Sequence, residues 1–313
     1  MIDVIKKVPI CGMLQKIHIR GIDAKQPVLL VLHGGPGIPN RASFFKHHSD
    51  LCSHFLVVTW DQRGCGGSYK GIDPSTLTLA QYINDAKALI EYLCESLKCQ
   101  KLFILCGSWG TELGTMLAFR YPEHIAGYVG FGQTVNGIEN ERVSYEFALK
   151  GATEANDAKS VALLNECGPP VDGQYKGGFK GLTTQRKVLK KYGGNSTRSG
   201  GWFKTMALPI LFSREYTLGD KIGIFKGYSL VLSTMWKEIT NYNFIEQCYE
   251  FEMPYYIFQG KLDYNTPAEL IPAFYEKIKA PEKDLIWFEN SAHGPLNEEP
   301  EKFKALLIKK LLG

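Results

Sequence analysis

No run of apolar residues in this chain approaches the roughly 20 needed to cross a bilayer. The opening Met1-Ile-Asp-Val-Ile-Lys-Lys7 also lacks an apolar stretch of signal-peptide length. Neither a membrane span nor a secretory leader is expected, and a cytoplasmic enzyme is the natural expectation. The eight cysteines, at positions 11, 52, 65, 94, 99, 106, 167 and 248, include no C-x-x-C pair. That scatter fits reduced thiols rather than a disulfide framework or a zinc site. H-x-x-H patterns and clusters of Asp, Glu and His are likewise missing, so no metal and no cofactor is expected. Net charge is small: 36 basic against 32 acidic residues leave +4, a balance that argues against nucleic acid as the main partner. One local exception stands out, since residues 176–204 hold eight Lys or Arg and no carboxylate. It reads as solvated surface, with attraction of an acidic ligand as the other reading. Internal repeats and low-complexity tracts are absent, and nothing indicates an oligomeric state.

What is present is a chain of 313 residues with 44% apolar content, enough for one catalytic domain with an insertion. Val28-Leu-Leu-Val-Leu32 is a continuous apolar run, as expected of a strand buried on both faces of a mainly parallel sheet. Segments 55–60, 101–105, 126–132, 254–259 and 284–288 read in the same way, and 15–20 alternates as an outer strand would. Helical patterns lie between them: one opens with a capping box at Thr78 and Gln81, another covers 111–121, and a third covers 300–312. Strand and helix in alternation predict an α/β fold, a mainly parallel sheet flanked by helices. The alternation breaks after 133. Residues 134–250 read as helical pieces with glycine-rich loops and many aromatics, among them Tyr145, Trp202, Tyr216, Trp236 and Tyr242. The expected layout is therefore a sheet domain in two parts, 1–133 and 251–313, with a mostly helical cap, 134–250, inserted between them.

The chemistry centres on Cys106-Gly-Ser-Trp-Gly110, which follows a strand and opens a helix. This is the strand, tight turn and helix of a nucleophile elbow, with Ser108 at its tip. Such a turn strains the nucleophile and requires small residues on both sides; glycine is usual two residues before the serine, where this chain has Cys106. Read blandly, the motif is only a turn. A serine hydroxyl needs a histidine base, itself oriented by a carboxylate. Asp263, after the 254–259 strand, and His293, after the last strand, supply both in the order the fold requires. No carboxylate competes at 132–134. His33 belongs to a glycine-rich loop, His47 and His48 read as surface residues, and His54 and His124 read as structural. The oxyanion formed by attack needs two amide donors, expected from Trp109 and from Gly35 in His33-Gly-Gly-Pro-Gly37, with Gly34 as the next choice.

Together, His33-Gly-Gly-Pro-Gly37, Trp60-Asp-Gln-Arg-Gly64 with Gly67-Ser68, Gly107-Ser-Trp-Gly110, Asp263 with Thr266-Pro267, and Ser291-Ala-His293 resemble the proline iminopeptidase-like branch of the α/β-hydrolase superfamily. The resemblance spans both parts of the sheet domain and is weak across 134–250. It implies removal of an N-terminal residue, often proline, from small peptides through an acyl-enzyme, with carboxylates holding the substrate ammonium. Glu215, in Arg214-Glu-Tyr-Thr217, is similar to one such glutamate. A second commonly follows the catalytic Asp, where this chain has Tyr264. The Asp61-Gln62-Arg63 segment reads as support for the oxyanion loop. The leading expectation is a serine aminopeptidase acting on a short peptide or small-molecule substrate. A carboxylesterase or lactonase acting on neutral acyl groups is the alternative, and a non-catalytic ligand-binding protein is the third possibility.

Overall fold

The computed structural model describes residues 1–197 and 203–313. Arg198 and Trp202 lie outside the described residues. Eight strands form one sheet: β1 Ile2–Ile10, β2 Met13–Gly21, β3 Val28–Leu32, β4 Leu56–Asp61, β5 Leu102–Gly107, β6 Ile125–Phe131, β7 Tyr255–Gly260 and β8 Lys283–Phe288. Their order across the sheet is β1-β2-β4-β3-β5-β6-β7-β8. The first three are antiparallel and every later neighbour is parallel. The helices, in chain order, are α1 Arg41–His48, α2 Leu79–Leu97, α3 Trp109–Arg120, α4 Gly137–Glu154, α5 Ala158–Cys167, α6 Phe179–Lys191, α7 Leu208–Phe212, α8 Leu218–Ile239, α9 Phe244–Gln247, α10 Ile271–Lys277, α11 Pro295–Glu298 and α12 Pro300–Leu312.

The continuous apolar run of β3 is explained by helices on both faces of the sheet. Leu30 and Leu32 pack with α2 and α3, while Leu29 and Val31 pack with Phe44 and Phe45 of α1 and Phe303 and Leu307 of α12. At β3 the strand order reverses: β4 lies on one side of it and β5 on the other. A crevice opens at the carboxyl ends of strands at such a reversal, and here Leu32 stands level with Cys106. The elbow therefore opens where this fold leaves space.

Two expectations, one about the edge of the sheet and one about the start of α2, need correction. The segment 15–20 lies in β2, but β2 is the second strand, because β1 pairs with it along its whole length. Its polar residues are buried by distant partners: Gln15 and Lys16 reach Asp85 and Asp220 at 2.7 and 2.6 Å, and His18 reaches Asp3 at 2.6 Å. Only half of the capping box forms. The Thr78 hydroxyl accepts the Gln81 N–H at 3.2 Å, but the Gln81 side chain donates to Asp85.

Between β6 and β7 the described residues form helices α4 to α9 and no strand. A buried ionic cluster fastens this insertion to the sheet. Arg41 lies 3.2 Å from Asp61 and 3.5 Å from Asp220, Lys16 lies 2.6 Å from Asp220, and the Arg41 guanidinium stacks 4.1 Å above the Tyr216 ring. Each buried charge has an opposite partner, which is what burial of ions demands. We keep 134–250 as the proposed extent of a cap. Among the described residues, no helix is long and apolar enough to cross a membrane.

Candidate active site

Ser108 sits between β5 and α3 with φ 54° and ψ −123°, a conformation that costs a non-glycine residue about 1–3 kcal/mol and persists only where its surroundings hold it. Those surroundings are visible. Its N–H donates to the Phe131 carbonyl at 3.0 Å, and its own carbonyl accepts the Thr111 N–H at 2.6 Å and the Thr111 hydroxyl at 2.7 Å. A side chain at Gly110 would begin 2.1 Å from the Leu32 carbonyl oxygen, so α3 can start this close to β3 only with glycine there. Cys106 has room for its thiol because Gly114 faces it: a methyl group on Gly114 would lie 2.4 Å from the Cys106 Sγ.

The glycine-rich loop after β3 passes beside the serine. A Cβ on Gly34 would stand 3.1 Å from the Ser108 Cβ, and Gly35 has φ 123°. Trp109 is the first residue of α3, where helix amides have no partner within the helix. Gln62 ties the loop to the helix: its side-chain amide donates to the His33 carbonyl at 3.3 Å and accepts the Trp109 indole N–H at 2.9 Å. His33 takes part as a neutral ring, since burial pushes its pKa down to about 4. Its Nε2 is then free to accept the Gln62 N–H at 3.3 Å.

Asp263 is fully buried just beyond β7 and faces donors only. Its Oδ1 accepts the N–H groups of Asn265 and Thr266 at 2.8 and 3.0 Å. Its Oδ2 accepts the Thr266 hydroxyl at 2.8 Å, the Gln259 amide at 3.0 Å and His293 Nδ1 at 2.9 Å. A carboxylate can only accept, so this set assigns the His293 proton to Nδ1 and leaves Nε2 as the basic nitrogen. In the structure Nε2 is 3.1 Å from the side-chain amide nitrogen of Asn265. His293 and Ser108 line one cavity, but no hydrogen bond joins them among the described residues. Gly132 packs against the imidazole, where a Cβ would meet Cε1 at 2.7 Å.

That cavity, about 630 Å³, is walled by apolar side chains including Ile210, Ile224, Phe225, Trp236 and Tyr242. Two carboxylates that sequence reasoning passed over also line it. Glu112, one turn into α3, and Glu141, on α4, are each 2% exposed, and each keeps one oxygen without a hydrogen-bond partner. Burial, and then the charge of Glu238, push the Glu112 carboxyl well above the usual carboxylate range. Glu141 uses its other oxygen to accept from Asn140 at 3.0 Å and from Arg186 at 2.5 Å. The signal for Glu112 was its place, the one carboxylate in α3, four residues after Ser108.

Glu215 is not brought to this cavity. The link between α7 and α8 turns it toward β2, where its oxygens lie 3.6 Å from Arg20 and 3.6 Å from His18 in a separate pocket of about 210 Å³. His48 also differs from expectation. It is 3% exposed, lines the main cavity and bonds Asn297 at 3.1 Å, and burial pushes its pKa down to about 4.

A family profile described as alpha/beta hydrolase fold matches residues 27–158. The Bacillus subtilis protein YbaC, named a probable aminopeptidase, is 30% identical over 309 residues, spanning 96% of this chain and 94% of that protein. The chain belongs to the proline iminopeptidase-like branch of the α/β-hydrolase family. It is a hydrolase, of the serine type that characterises the family. A proline iminopeptidase from Neisseria gonorrhoeae is 36% identical across 32% of this hydrolase and 31% of its own length. In fold, the crystal structure of a proline iminopeptidase-related protein from Thermus thermophilus superposes with a TM-score of 0.69 at 18% identity, covering 99% and 98% of the two chains. Tyr264, which follows Asp263, stacks its ring on Phe147 of α4, centroids 3.7 Å apart.

Proposed function

We propose that this hydrolase is an aminopeptidase that releases N-terminal residues from small peptides through an acyl-enzyme. Ser108 attacks the scissile carbonyl. His293 Nε2, once released by Asn265, takes the serine proton and returns it to the leaving amine. Asp263 holds the imidazole in the tautomer this requires. The amides of Gly35 and Trp109 receive the oxyanion, each such donor contributing about 3 kcal/mol to the transition state. Water then repeats the cycle on the ester. The observation that carries the reading is the 2.9 Å contact of His293 Nδ1 with a fully buried Asp263, in a cavity shared with a strained Ser108.

The peptidase reading, as against general acyl hydrolysis, rests on Glu112 and Glu141. Glu112, held protonated by burial, would give up its proton to meet a cation, since a buried charge is stabilised only by an opposite partner, and Glu141 keeps one oxygen unmet beside its pair with Arg186. The substrate ammonium fills that role, which we assign to this pair in place of Glu215. The apolar walls favour a second reading, an esterase or lactonase taking neutral acyl groups.

Alanyl and prolyl naphthylamides, their N-acetyl derivatives and p-nitrophenyl esters separate the two. The proposal expects N-acetylation to lower kcat/KM at least about 100-fold, the equivalent of roughly 3 kcal/mol for a charged hydrogen bond. Equal turnover of free and acetylated substrates, with esters preferred, would support the esterase.

A further inference from the structure

The cation-rich stretch after residue 176 is part of the cavity wall. Helix α6 presents Thr183, Arg186 and Lys190 to it, positions that share one helical face. Arg186 is committed to Glu141. Lys190, one turn on, is exposed, and no ion pair to it occurs among the described residues, whereas its neighbour Lys191 is bound by Asp157. The chain beyond α6 runs directly onto the catalytic loops: the Gly194 carbonyl accepts the Tyr264 N–H at 2.8 Å and the Asn195 carbonyl accepts the His293 N–H at 3.3 Å. Lys190 and His293 line the same cavity, and the chain that follows Lys190 meets the loops carrying Tyr264 and His293. Glu298, a carboxylate lining the same cavity, is taken up by the Ala292 N–H at 2.7 Å and the Thr197 hydroxyl at 2.8 Å.

We propose that Lys190 receives the C-terminal carboxylate of the leaving residue, which makes the preferred substrate a free dipeptide. The proposal rests on the aminopeptidase reading and extends it to the other end of the substrate. Glu112 and Glu141 would hold the ammonium end and Lys190 the carboxylate end, and all three line the cavity with Ser108. An amide or naphthylamide offers no carboxylate at all.

The test compares kcat/KM for alanyl-glycine with alanyl-glycinamide, and for the same pair with proline first, in the wild type, Lys190→Met and Lys190→Arg. The wild type should favour the free acid by about tenfold, the increment of one charge-assisted hydrogen bond. In Lys190→Met the ratio should fall to about one, and in Lys190→Arg the preference should persist. Because the readout is a ratio within one protein, a general loss of activity does not imitate it. Cleavage of aminoacyl naphthylamides with equal rates on acid and amide, or a preference that survives Lys190→Met, overturns the proposal and leaves the aminopeptidase reading standing. If naphthylamides and both peptides are untouched while esters react, both readings fail together.

Discussion

Glu112 lies one turn beyond Ser108 with its carboxyl inside the protein and one oxygen unmet, and replacing it by glutamine should change stability and turnover in opposite directions. Burial raises its pKa from the ordinary 4.5, so the folded protein holds this proton to higher pH than the unfolded chain does. Its contribution to stability is then fully present below the unfolded value and is lost as pH rises through the folded one. Glutamine does not ionise and escapes that loss. Between the unfolded and the folded value the loss accumulates at about 1.4 kcal/mol per pH unit, and 1 kcal/mol moves the melting temperature of a large domain by about 2 °C or somewhat more. Glu112→Gln should therefore melt above the wild type at pH 8, by about 3 °C for each pH unit over which that loss runs, with the difference shrinking toward pH 5. On alanyl naphthylamide, kcat/KM should fall about 10- to 150-fold, the worth of a hydrogen bond to a charged group. Differential scanning fluorimetry across the pH series and initial-rate kinetics supply both readouts. A melting difference that is flat with pH, or turnover unaffected by the change, would refute the assignment of Glu112 as a buried cation receptor.

Three further substitutions probe the rest of the site. Asp263→Asn sets an amide NH₂ among five donors; the imidazole tautomer should reverse and kcat should drop about 10⁴-fold, as the same change does in the serine-protease triad. Gly132→Ala places a Cβ 2.7 Å from His293 Cε1 at φ 55°, so kcat should fall while KM holds, and stopped-flow acylation should show the loss in the chemical step. Gln62→Leu cuts both the His33 and the Trp109 contacts, and about a tenfold loss in kcat with little change in melting temperature is expected from a loosened oxyanion loop, within the range of one weakened donor.

The parallel part of the sheet was legible because its strands are local apolar runs: 28–32 was read to the residue, and α12 likewise at 300–312. The elbow and the loops carrying Asp263 and His293 were legible for a similar reason, since each follows a strand within a few residues. The edge of the sheet was not. β1 alternates imperfectly across Lys6, Lys7 and Pro9, and β2 contains a lysine, a glutamine and a histidine that are buried only because Asp220, Asp85 and Asp3 come from elsewhere in the chain. The same limit explains Glu215, whose local motif was suggestive but whose direction is set by Arg20, nearly two hundred residues away in sequence. Glu112, Glu141 and Asn265 were missed because their meaning lies in a cavity assembled from both parts of the sheet domain and the insertion.

The central claim is that Ser108 is a nucleophile made reactive by His293. Incubating the protein with a fluorophosphonate and locating the adduct by peptide mass spectrometry tests it most directly. A single stoichiometric adduct on Ser108 is expected, lost in Ser108→Ala and about 10³-fold slower in His293→Ala, in keeping with removal of a triad base. An intact protein that stays unlabelled, or that labels as fast without the imidazole, would contradict it.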